Sequence, residues 1–266
     1  MNMTGTEKPF SKALITGAAG DLGSELARCL AAAGVNLVLT DIAADPLAAV
    51  ADELRRYPGM TVSTFAADLT DHAALEQRLR EIADAHPDID LLMANAGVDI
   101  GAPIERYDWR KAKLQFDVNT LANYVLFCVF LPRFLERGHG HVTATISLGG
   151  LIGTPYEHAY NGSKAAMRML MDGLRAETRG RGVGFTSVFP SYLQGRMIQG
   201  NRFDVKRATP MRTAAEKIVA ATLARRQVLK FPWQAALKIS LAGLLPVRLR
   251  DRLVMAEMIP PGRASE

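Results

Sequence analysis

Short, mostly apolar runs alternate along the chain with stretches in which apolar residues recur every three or four positions. The runs lie at residues 13–16, 35–40, 61–67, 89–93, 141–146 and 183–189, and residues 228–231 provide a candidate seventh. Such runs are typical of strands buried on both faces, whereas the spacing of three to four is that of an amphipathic helix. The alternation predicts an α/β fold of three layers, with helices on both faces of a parallel sheet.

The length of 266 residues suffices for one large α/β domain and requires no second. We expect residues 1–266 to form a single domain, with residues 228–266 as a C-terminal helical extension. The net charge is +5, but residues 201–266 contain thirteen Lys and Arg against five Asp and Glu. This basic quarter suits an anionic membrane surface, an anionic substrate or simply a solvated surface.

Several features favour a cytoplasmic location. Residues 1–10 are polar and lack the apolar centre of a signal peptide. Cys29 and Cys128 lie within helical apolar patterns, which suits buried thiols in a reducing compartment. The longest candidate membrane segment, residues 235–245, contains Lys238 and is too short to cross a bilayer.

A glycine turn follows the first predicted strand. Gly17, Gly20 and Gly23 occur at three-residue spacing, and helical periodicity begins at Leu22. Glycine allows the backbone to approach an anion, and the free N–H groups at a helix start point toward it. The turn therefore predicts a pyrophosphate site, although the same spacing also fits a purely structural turn.

Asp41 ends the second predicted strand, about twenty residues beyond the glycine turn. A carboxylate there accepts hydrogen bonds from the adenosine ribose of NAD and repels the 2′-phosphate of NADP. The glycine turn and the residues just after Asp41 contain no basic side chain. NAD is therefore favoured over NADP, and the alternative is that Asp41 caps the helix that follows.

Tyr160 and Lys164 are four residues apart, so they share one face of a predicted helix. An ammonium group beside a phenol lowers the pKa of the phenol, which suits Tyr160 to general acid–base chemistry on an alcohol or ketone oxygen. Ser147, at the end of the fifth predicted strand, can hydrogen-bond the same oxygen. A Tyr-x-x-x-Lys pattern by itself is common in helices.

Together these motifs resemble the short-chain dehydrogenase/reductase family over residues 12–226. The resemblance depends on the sequence TGAAGDLG at 16–23, Asp68-Leu69, Asn95-Ala96-Gly97, Asn119, Ser147, Tyr160 with Lys164, and Pro190. It implies a Rossmann-type doubly wound sheet and NAD(P)-dependent oxidoreduction of an alcohol or carbonyl. Tyr160 would exchange the proton, Ser147 would hold the substrate oxygen, and Lys164 would contact the nicotinamide ribose and lower the pKa of Tyr160. Asn119 would anchor a water that completes a proton relay.

The resemblance also implies a set of cofactor contacts. The expected cofactor-binding residues are Gly17, Gly20, Asp21, Leu22, Gly23, Asp41, Asp68, Leu69, Asn95, Ala96, Gly97, Tyr160, Lys164 and Pro190. One departure is Asp21, which stands where the shorter branch of the family has a glycine, so that the turn resembles that of the extended branch. A carboxylate at this position comes close to the pyrophosphate unless it turns outward.

The C-terminal extension carries an apolar stripe at helical spacing, formed by Trp233, Leu237, Leu241 and Leu244. It weakly resembles the tails of family members that act on steroids, retinoids or lipid-like substrates. Three interpretations remain open: a core or oligomer-contact helix, a lid over an apolar substrate cavity, and a helix on a membrane surface.

We therefore expect an oxidoreductase that moves a hydride between nicotinamide and a secondary alcohol or ketone on a hydrophobic substrate, in a homodimer or homotetramer. The alternatives are an NAD-sensing regulator without catalysis and an epimerase or dehydratase that retains NAD. His139 and His141 have no third ligand nearby in sequence, so we expect no metal. No interleaving of aromatic and basic residues suggests nucleic acid.

Overall fold

The computed structural model describes residues 10–196 and 208–258. Its centre is a seven-stranded sheet in the order β3-β2-β1-β4-β5-β6-β7, with every neighbouring pair parallel. The strands are Lys12–Thr16 (β1), Asn36–Asp41 (β2), Val62–Ala66 (β3), Ile89–Ala94 (β4), Gly140–Thr145 (β5), Val183–Pro190 (β6) and Val228–Phe231 (β7). The predicted parallel sheet is confirmed, and residues 228–231 form its seventh strand.

Helices cover both faces of this sheet. They are Asp21–Ala32 (α1), Ala44–Leu54 (α2), His72–Ala85 (α3), Trp109–Phe116 (α4), Ala122–Glu136 (α5), His158–Glu177 (α6), Met211–Leu223 (α7), Trp233–Ala242 (α8) and Val247–Met258 (α9). One core packs α1, α2 and α7 against the sheet, and the other packs α3, α5 and α6 against its opposite face. This three-layer arrangement is the Rossmann-type doubly wound fold expected from the sequence.

The strand order reverses between β1 and β4, which are neighbours although two strands separate them in the chain. Crossovers on either side leave a crevice at the carboxyl ends of these strands, where ligands bind in doubly wound sheets. The glycine turn follows β1, and Asn95 follows β4. The topology therefore brings two of the predicted cofactor motifs to this crevice.

The helical region before β5 is interrupted around Asn119. Residues Asp117–Leu121 form a π-helical turn between α4 and α5, whereas Pro132 lies inside α5 without ending it. The stretch Trp109–Glu136 is long and apolar enough to cross a membrane, but 61% of its apolar window is buried inside the protein. Burial of this kind is typical of a core helix.

Two details of the sequence analysis are wrong. Cys29 is buried as expected, but Cys128 is exposed because it lies on the face of α5 that points away from the sheet. Helix α2 begins at Ala44 with Ala43 as its N-cap, so Asp41 does not cap it. The carboxylate of Asp41 is thereby left to the site described next.

Candidate active site

A cavity of about 1660 Å³ opens at the carboxyl ends of the strands. A pocket for one drug-sized ligand is typically about 300–1,000 Å³, so this cavity has room for a dinucleotide and a substrate together. Its walls contain every predicted site residue except Asn119: Gly17, Gly20, Asp21, Leu22, Gly23, Asp41, Asp68, Leu69, Asn95, Ala96, Gly97, Ser147, Tyr160, Lys164 and Pro190. Residues that are far apart in sequence thus share one site.

The glycine turn fits both a structural turn and an anion site. Gly17 has a φ of +65°, and a Cβ on Gly23 would lie 1.9 Å from the carbonyl oxygen of Gly17, so packing alone requires these two glycines. Helix α1 begins directly after Gly20, its N-cap, which makes no side-chain cap hydrogen bond. The N–H groups of its first turn therefore face the cavity without a capping side chain, as pyrophosphate binding requires.

Asp21 does not point freely at this anion site. Its carboxylate accepts hydrogen bonds from the backbone N–H of Arg196 at 2.7 Å and from Arg196 Nε at 2.8 Å. The guanidinium group balances the charge that the sequence places beside the pyrophosphate position. The sequence analysis missed Arg196, because only the fold brings it to Asp21.

The carboxylate of Asp41 lies at the other end of the glycine turn. Its Oδ2 accepts a hydrogen bond from Ala19 N at 2.9 Å, and its Oδ1 accepts one from Ile42 N at 2.8 Å. These bonds hold the carboxylate at the cavity wall. Asp41 therefore braces the turn and also presents a negative charge to the cavity.

The remaining polar residues on the cofactor side are held by their neighbours. Asn95 Nδ2 donates to the carbonyl oxygen of Thr16 at 3.2 Å, which ties β4 to β1. Asp68 accepts from the N–H and the hydroxyl of Thr70, both at 2.8 Å, and these bonds lower the pKa of its carboxyl. Both side chains are therefore fixed before any ligand binds.

Asn119 lies outside the cavity wall, fully buried, and acts on the loop after β4. Its Oδ1 accepts from Val98 N at 2.8 Å, and its Nδ2 donates to the Val98 carbonyl at 2.9 Å and to Ser163 Oγ at 2.9 Å. Its own backbone carbonyl accepts from Asn123 Nδ2 at 3.0 Å. The side chain is thus a brace for Val98, and its role in anchoring a water stays a prediction.

Ser147, Tyr160 and Lys164 meet at the centre of the cavity. Ser147 Oγ accepts from Gly149 N at 3.0 Å, and the Ser147 side chain is near enough to the Tyr160 hydroxyl to lower its pKa. Lys164 Nζ donates to the Thr145 carbonyl at 3.0 Å and lies 5.8 Å from the centroid of the Tyr160 ring. The two hydroxyl groups can therefore hold one substrate oxygen, with the ammonium group nearby.

Burial is the largest influence on the ionisation of this cluster. Burial raises the pKa of Tyr160 above its ordinary value, and the negative charges of Asp99 and Glu157 add to the rise, whereas the hydrogen bond from Ser147 opposes it. Burial also lowers the pKa of Lys164 to about 8, against the attraction of Asp99. In the protein alone the Tyr160 pKa is thus raised, with desolvation as the largest cause, and the lowering of this pKa by Lys164 stays a prediction.

Two carboxylates that the sequence analysis missed line the same cavity. Asp99 follows the Asn95-Ala96-Gly97 motif by two residues, and Glu157 precedes Tyr160 by three. Burial raises the pKa of Asp99 to about 6 and that of Glu157 to about 7, where the charge of Asp99 adds to the rise. Glu157 is the N-cap of α6 and lies three residues before Tyr160 in the first turn of that helix.

The C-terminal helices form the apolar wall of the cavity. Gln234 and Lys238 also line the cavity there, and the apolar lining residues are Ala235, Ile239, Leu241, Ala242, Leu245, Leu253 and Val254. Residues 259–266 of the predicted extension lie outside the described residues. In the described part of the chain, no group of three or more His, Cys, Asp or Glu side chains is placed to hold a metal ion.

The sequence matches the short chain dehydrogenase family over residues 11–206. This match covers most of the chain and includes the glycine turn, the tyrosine and the lysine just described. The protein therefore belongs to the short-chain dehydrogenase family of oxidoreductases, whose cofactor is a nicotinamide dinucleotide.

Relatives and solved structures agree with this assignment. The chain is 31% identical over 245 residues to an uncharacterized oxidoreductase of Myxococcus xanthus, covering 92% of this chain and 96% of that one. It is 34% identical over 191 residues to a 1-deoxy-11-beta-hydroxypentalenate dehydrogenase of Streptomyces exfoliatus, covering 71% and 69%.

Two structures show the same fold with different cofactors. A short-chain dehydrogenase/reductase of Burkholderia phymatum in complex with NAD superposes with a TM-score of 0.79 at 23% identity, covering 89% of this chain and 94% of that one. A short-chain dehydrogenase of Sphingobium yanoikuyae in complex with NADPH has a TM-score of 0.78 at 25% identity, covering 96% and 99%. Both of these neighbours bind a nicotinamide cofactor, which is NAD in one and NADPH in the other.

Proposed function

We propose that this protein is an NAD-dependent alcohol dehydrogenase or ketone reductase that acts on a secondary alcohol or ketone of a hydrophobic substrate. The observation that carries the proposal is the meeting of Ser147, Tyr160 and Lys164 in one cavity with the glycine turn. When bound, the nicotinamide supplies or accepts the hydride. The chain itself supplies the proton and the orientation.

Each residue of the cluster has one task in this proposal. The hydroxyl groups of Ser147 and Tyr160 hold the substrate oxygen, and Tyr160 gives up or takes the proton at that oxygen. Lys164 binds the nicotinamide ribose and stabilises the phenolate when it forms. Asn119 supports the loop after β4 through Val98 and, in the proposed relay, anchors a water.

The preference for NAD follows from the charge at the end of β2. The Asp41 carboxylate lines the cavity and is fixed by two backbone N–H groups, so it cannot easily turn away from a 2′-phosphate. A ribose with two free hydroxyls instead finds an acceptor. NADP is the less favoured cofactor.

The apolar wall formed by the C-terminal helices supports two parts of the proposal, a hydrophobic substrate and a lid over it. Leu245, between α8 and α9, and Val254 of α9 line the cavity, while Leu244, next in sequence to Leu245, is exposed. We take helices α8 and α9 as a lid over the substrate. The Streptomyces exfoliatus relative is named as a dehydrogenase of 1-deoxy-11-beta-hydroxypentalenate, which supports a carbon-rich alcohol as substrate.

We also propose a homodimer or homotetramer in the cytoplasm. Leu121, Tyr124 and Cys128 are exposed on one face of the helical region that ends in α5, at spacings of three and four. An exposed apolar face of this kind suits contact with a second copy. Membrane contact through the exposed leucines of α8 and α9 is the competing use of the extension.

The test is a fluorescence titration with NADH and NADPH, followed by turnover of a series of hydrophobic ketones and alcohols. The proposal predicts tighter binding of NADH and turnover of at least one compound. Tight binding without turnover of any compound would favour the NAD-sensing regulator instead. NAD that stays bound through purification, with no net NADH formation, would favour an epimerase or dehydratase.

A further inference from the structure

The wall beside Tyr160 contains an acidic pair that the proposed proton transfer does not use. Asp99 and Glu157 both line the cavity, and both act electrostatically on Tyr160. Only 7% of Glu157 is exposed. Carboxylates are rarely buried to this extent without a partner, because burial costs the charged form its hydration.

Each of the two carboxylates has an oxygen left without a donor. Glu157 Oε2 accepts from the Thr154 hydroxyl at 3.2 Å, but its Oε1 is buried and has no hydrogen-bond partner among the described residues. The same holds for Asp99 Oδ1. Because both oxygens are shielded from solvent, a group with several N–H donors in the cavity would satisfy them once the two side chains turn toward it.

The charges around the pair are not balanced. Lys164 attracts Asp99, whereas the charge that acts on Glu157 is that of Asp99 itself, which has the same sign. Lys238 and Arg196 also line the cavity, but among the described residues no cationic side chain acts on Glu157. A cation between the two carboxylates would remove the repulsion and replace the lost hydration.

The backbone directly before Glu157 adopts a strained conformation. Tyr156, directly before it, has a φ of +68°, a left-handed conformation that is uncommon for a bulky residue. The Tyr156 carbonyl accepts from Ala102 N at 2.9 Å, which joins this turn to the loop that carries Asp99. The two carboxylates are therefore supported by loops that contact each other.

We infer that Asp99 and Glu157 form a subsite that binds a protonated amine of the substrate, close to the carbon served by Ser147 and Tyr160. This inference rests on the proposed alcohol or ketone chemistry. It narrows the substrate class to amino alcohols and amino ketones with an apolar body. The ammonium group lies between the acidic pair, and the apolar body lies along α8 and α9.

The test compares decan-2-ol, decane-1,2-diol and 1-aminodecan-2-ol, which share one chain and one reacting carbon. Their affinities for the NADH complex are measured at pH 8 from the fluorescence of bound NADH, which needs no turnover. We expect the amine to bind about tenfold more tightly than the diol. Glu157→Gln and Asp99→Asn keep a hydrogen-bond acceptor but lose the charge, so each is expected to remove most of this preference.

Glu105→Gln is the matched control, because Glu105 is exposed and does not line the cavity. It is expected to keep the full preference, while the melting temperature and NADH affinity of each variant check its folding. The proposed subsite would be overturned if the wild type bound the amine no more tightly than the diol, or if none of the three compounds bound. It would also be overturned if both Glu157→Gln and Asp99→Asn kept the preference for the amine. Turnover of decan-2-ol with NAD tests the proposed function separately. If decan-2-ol were not oxidised, the proposed function would fail, but the measured preference for binding the amine would be unaffected.

Discussion

The carboxylate of Asp21 and the guanidinium group of Arg196 form an ion pair of 2.8 Å beside the first turn of α1. Asp21 also accepts the backbone N–H of Arg196. The pair joins the glycine turn after β1 to the segment after β6. A negative side chain at the predicted pyrophosphate site is thereby balanced by a positive one from a distant part of the chain.

Removal of Arg196 is expected to weaken cofactor binding. In Arg196→Ala the Asp21 carboxylate has no guanidinium partner and repels the pyrophosphate, so we expect the Kd of NADH to rise by about three- to tenfold. Asp21→Asn added to Arg196→Ala is expected to restore binding, since it removes the unbalanced charge. NADH fluorescence titrations at two salt concentrations measure both effects. Equal Kd values for wild type and Arg196→Ala would contradict this role of the pair.

Asp41→Ala is expected to relax the choice of cofactor. The substitution removes the charge that repels a 2′-phosphate, so NADPH binding improves relative to NADH by about tenfold. Binding of NADH also weakens somewhat, because Ala19 N loses its acceptor. Asp45→Ala, at an exposed residue in the first turn of α2, is the control. A wild-type preference for NADPH would refute the role assigned to Asp41.

Glu157→Gln is expected to change how stability depends on pH. The folded-state pKa of Glu157 is raised from 4.5 to about 7, so its contribution is fully present below pH 4.5 and is lost as the pH rises through 7. The neutral amide avoids this loss. The gain in unfolding free energy from Glu157→Gln should therefore be about 3 kcal/mol larger at pH 8 than at pH 4. Denaturant unfolding at both pH values measures it, and the same gain at both would contradict the burial of a charge here.

Leu245→Ser tests the lid. Leu245 lines the cavity, whereas its neighbour Leu244 is 83% exposed. Loss of apolar contact area is expected to raise the KM of decan-2-ol by about three- to tenfold and to leave the Kd of NADH unchanged. Leu244→Ser is the matched control and should leave KM unchanged. A change of KM in Leu244→Ser alone, together with a change of oligomeric state, would favour the oligomer-contact interpretation.

The strands can be predicted from sequence because a parallel sheet buries both faces, which leaves mostly apolar runs such as residues 35–40 and 89–93. Those site residues that lie at the ends of these strands or share a helix face can also be predicted from the sequence. Helical spacing does not say which face the sheet covers, and for this reason Cys128 was expected to be buried.

The rest of the site depends on the tertiary structure. The Asp21–Arg196 pair spans 175 positions of the chain, and no local pattern links its members. The ionisation of Tyr160 depends on how much water the fold excludes, which neither its spacing from Lys164 nor its residue type reveals. Glu157 was within reach of sequence reasoning, since it lies one helical turn before Tyr160.

The most direct test of the proposed chemistry compares wild type with Tyr160→Phe on the best compound of the alcohol and ketone series. The phenyl ring keeps the shape of the cavity but has no proton to exchange, so kcat should fall by at least about 100-fold while the Kd of NADH stays within about twofold. Tyr57→Phe, three residues beyond the end of α2 and outside the cavity, controls for the loss of a phenol. Turnover by Tyr160→Phe at the wild-type rate would contradict the assignment of Tyr160 as the general acid and base.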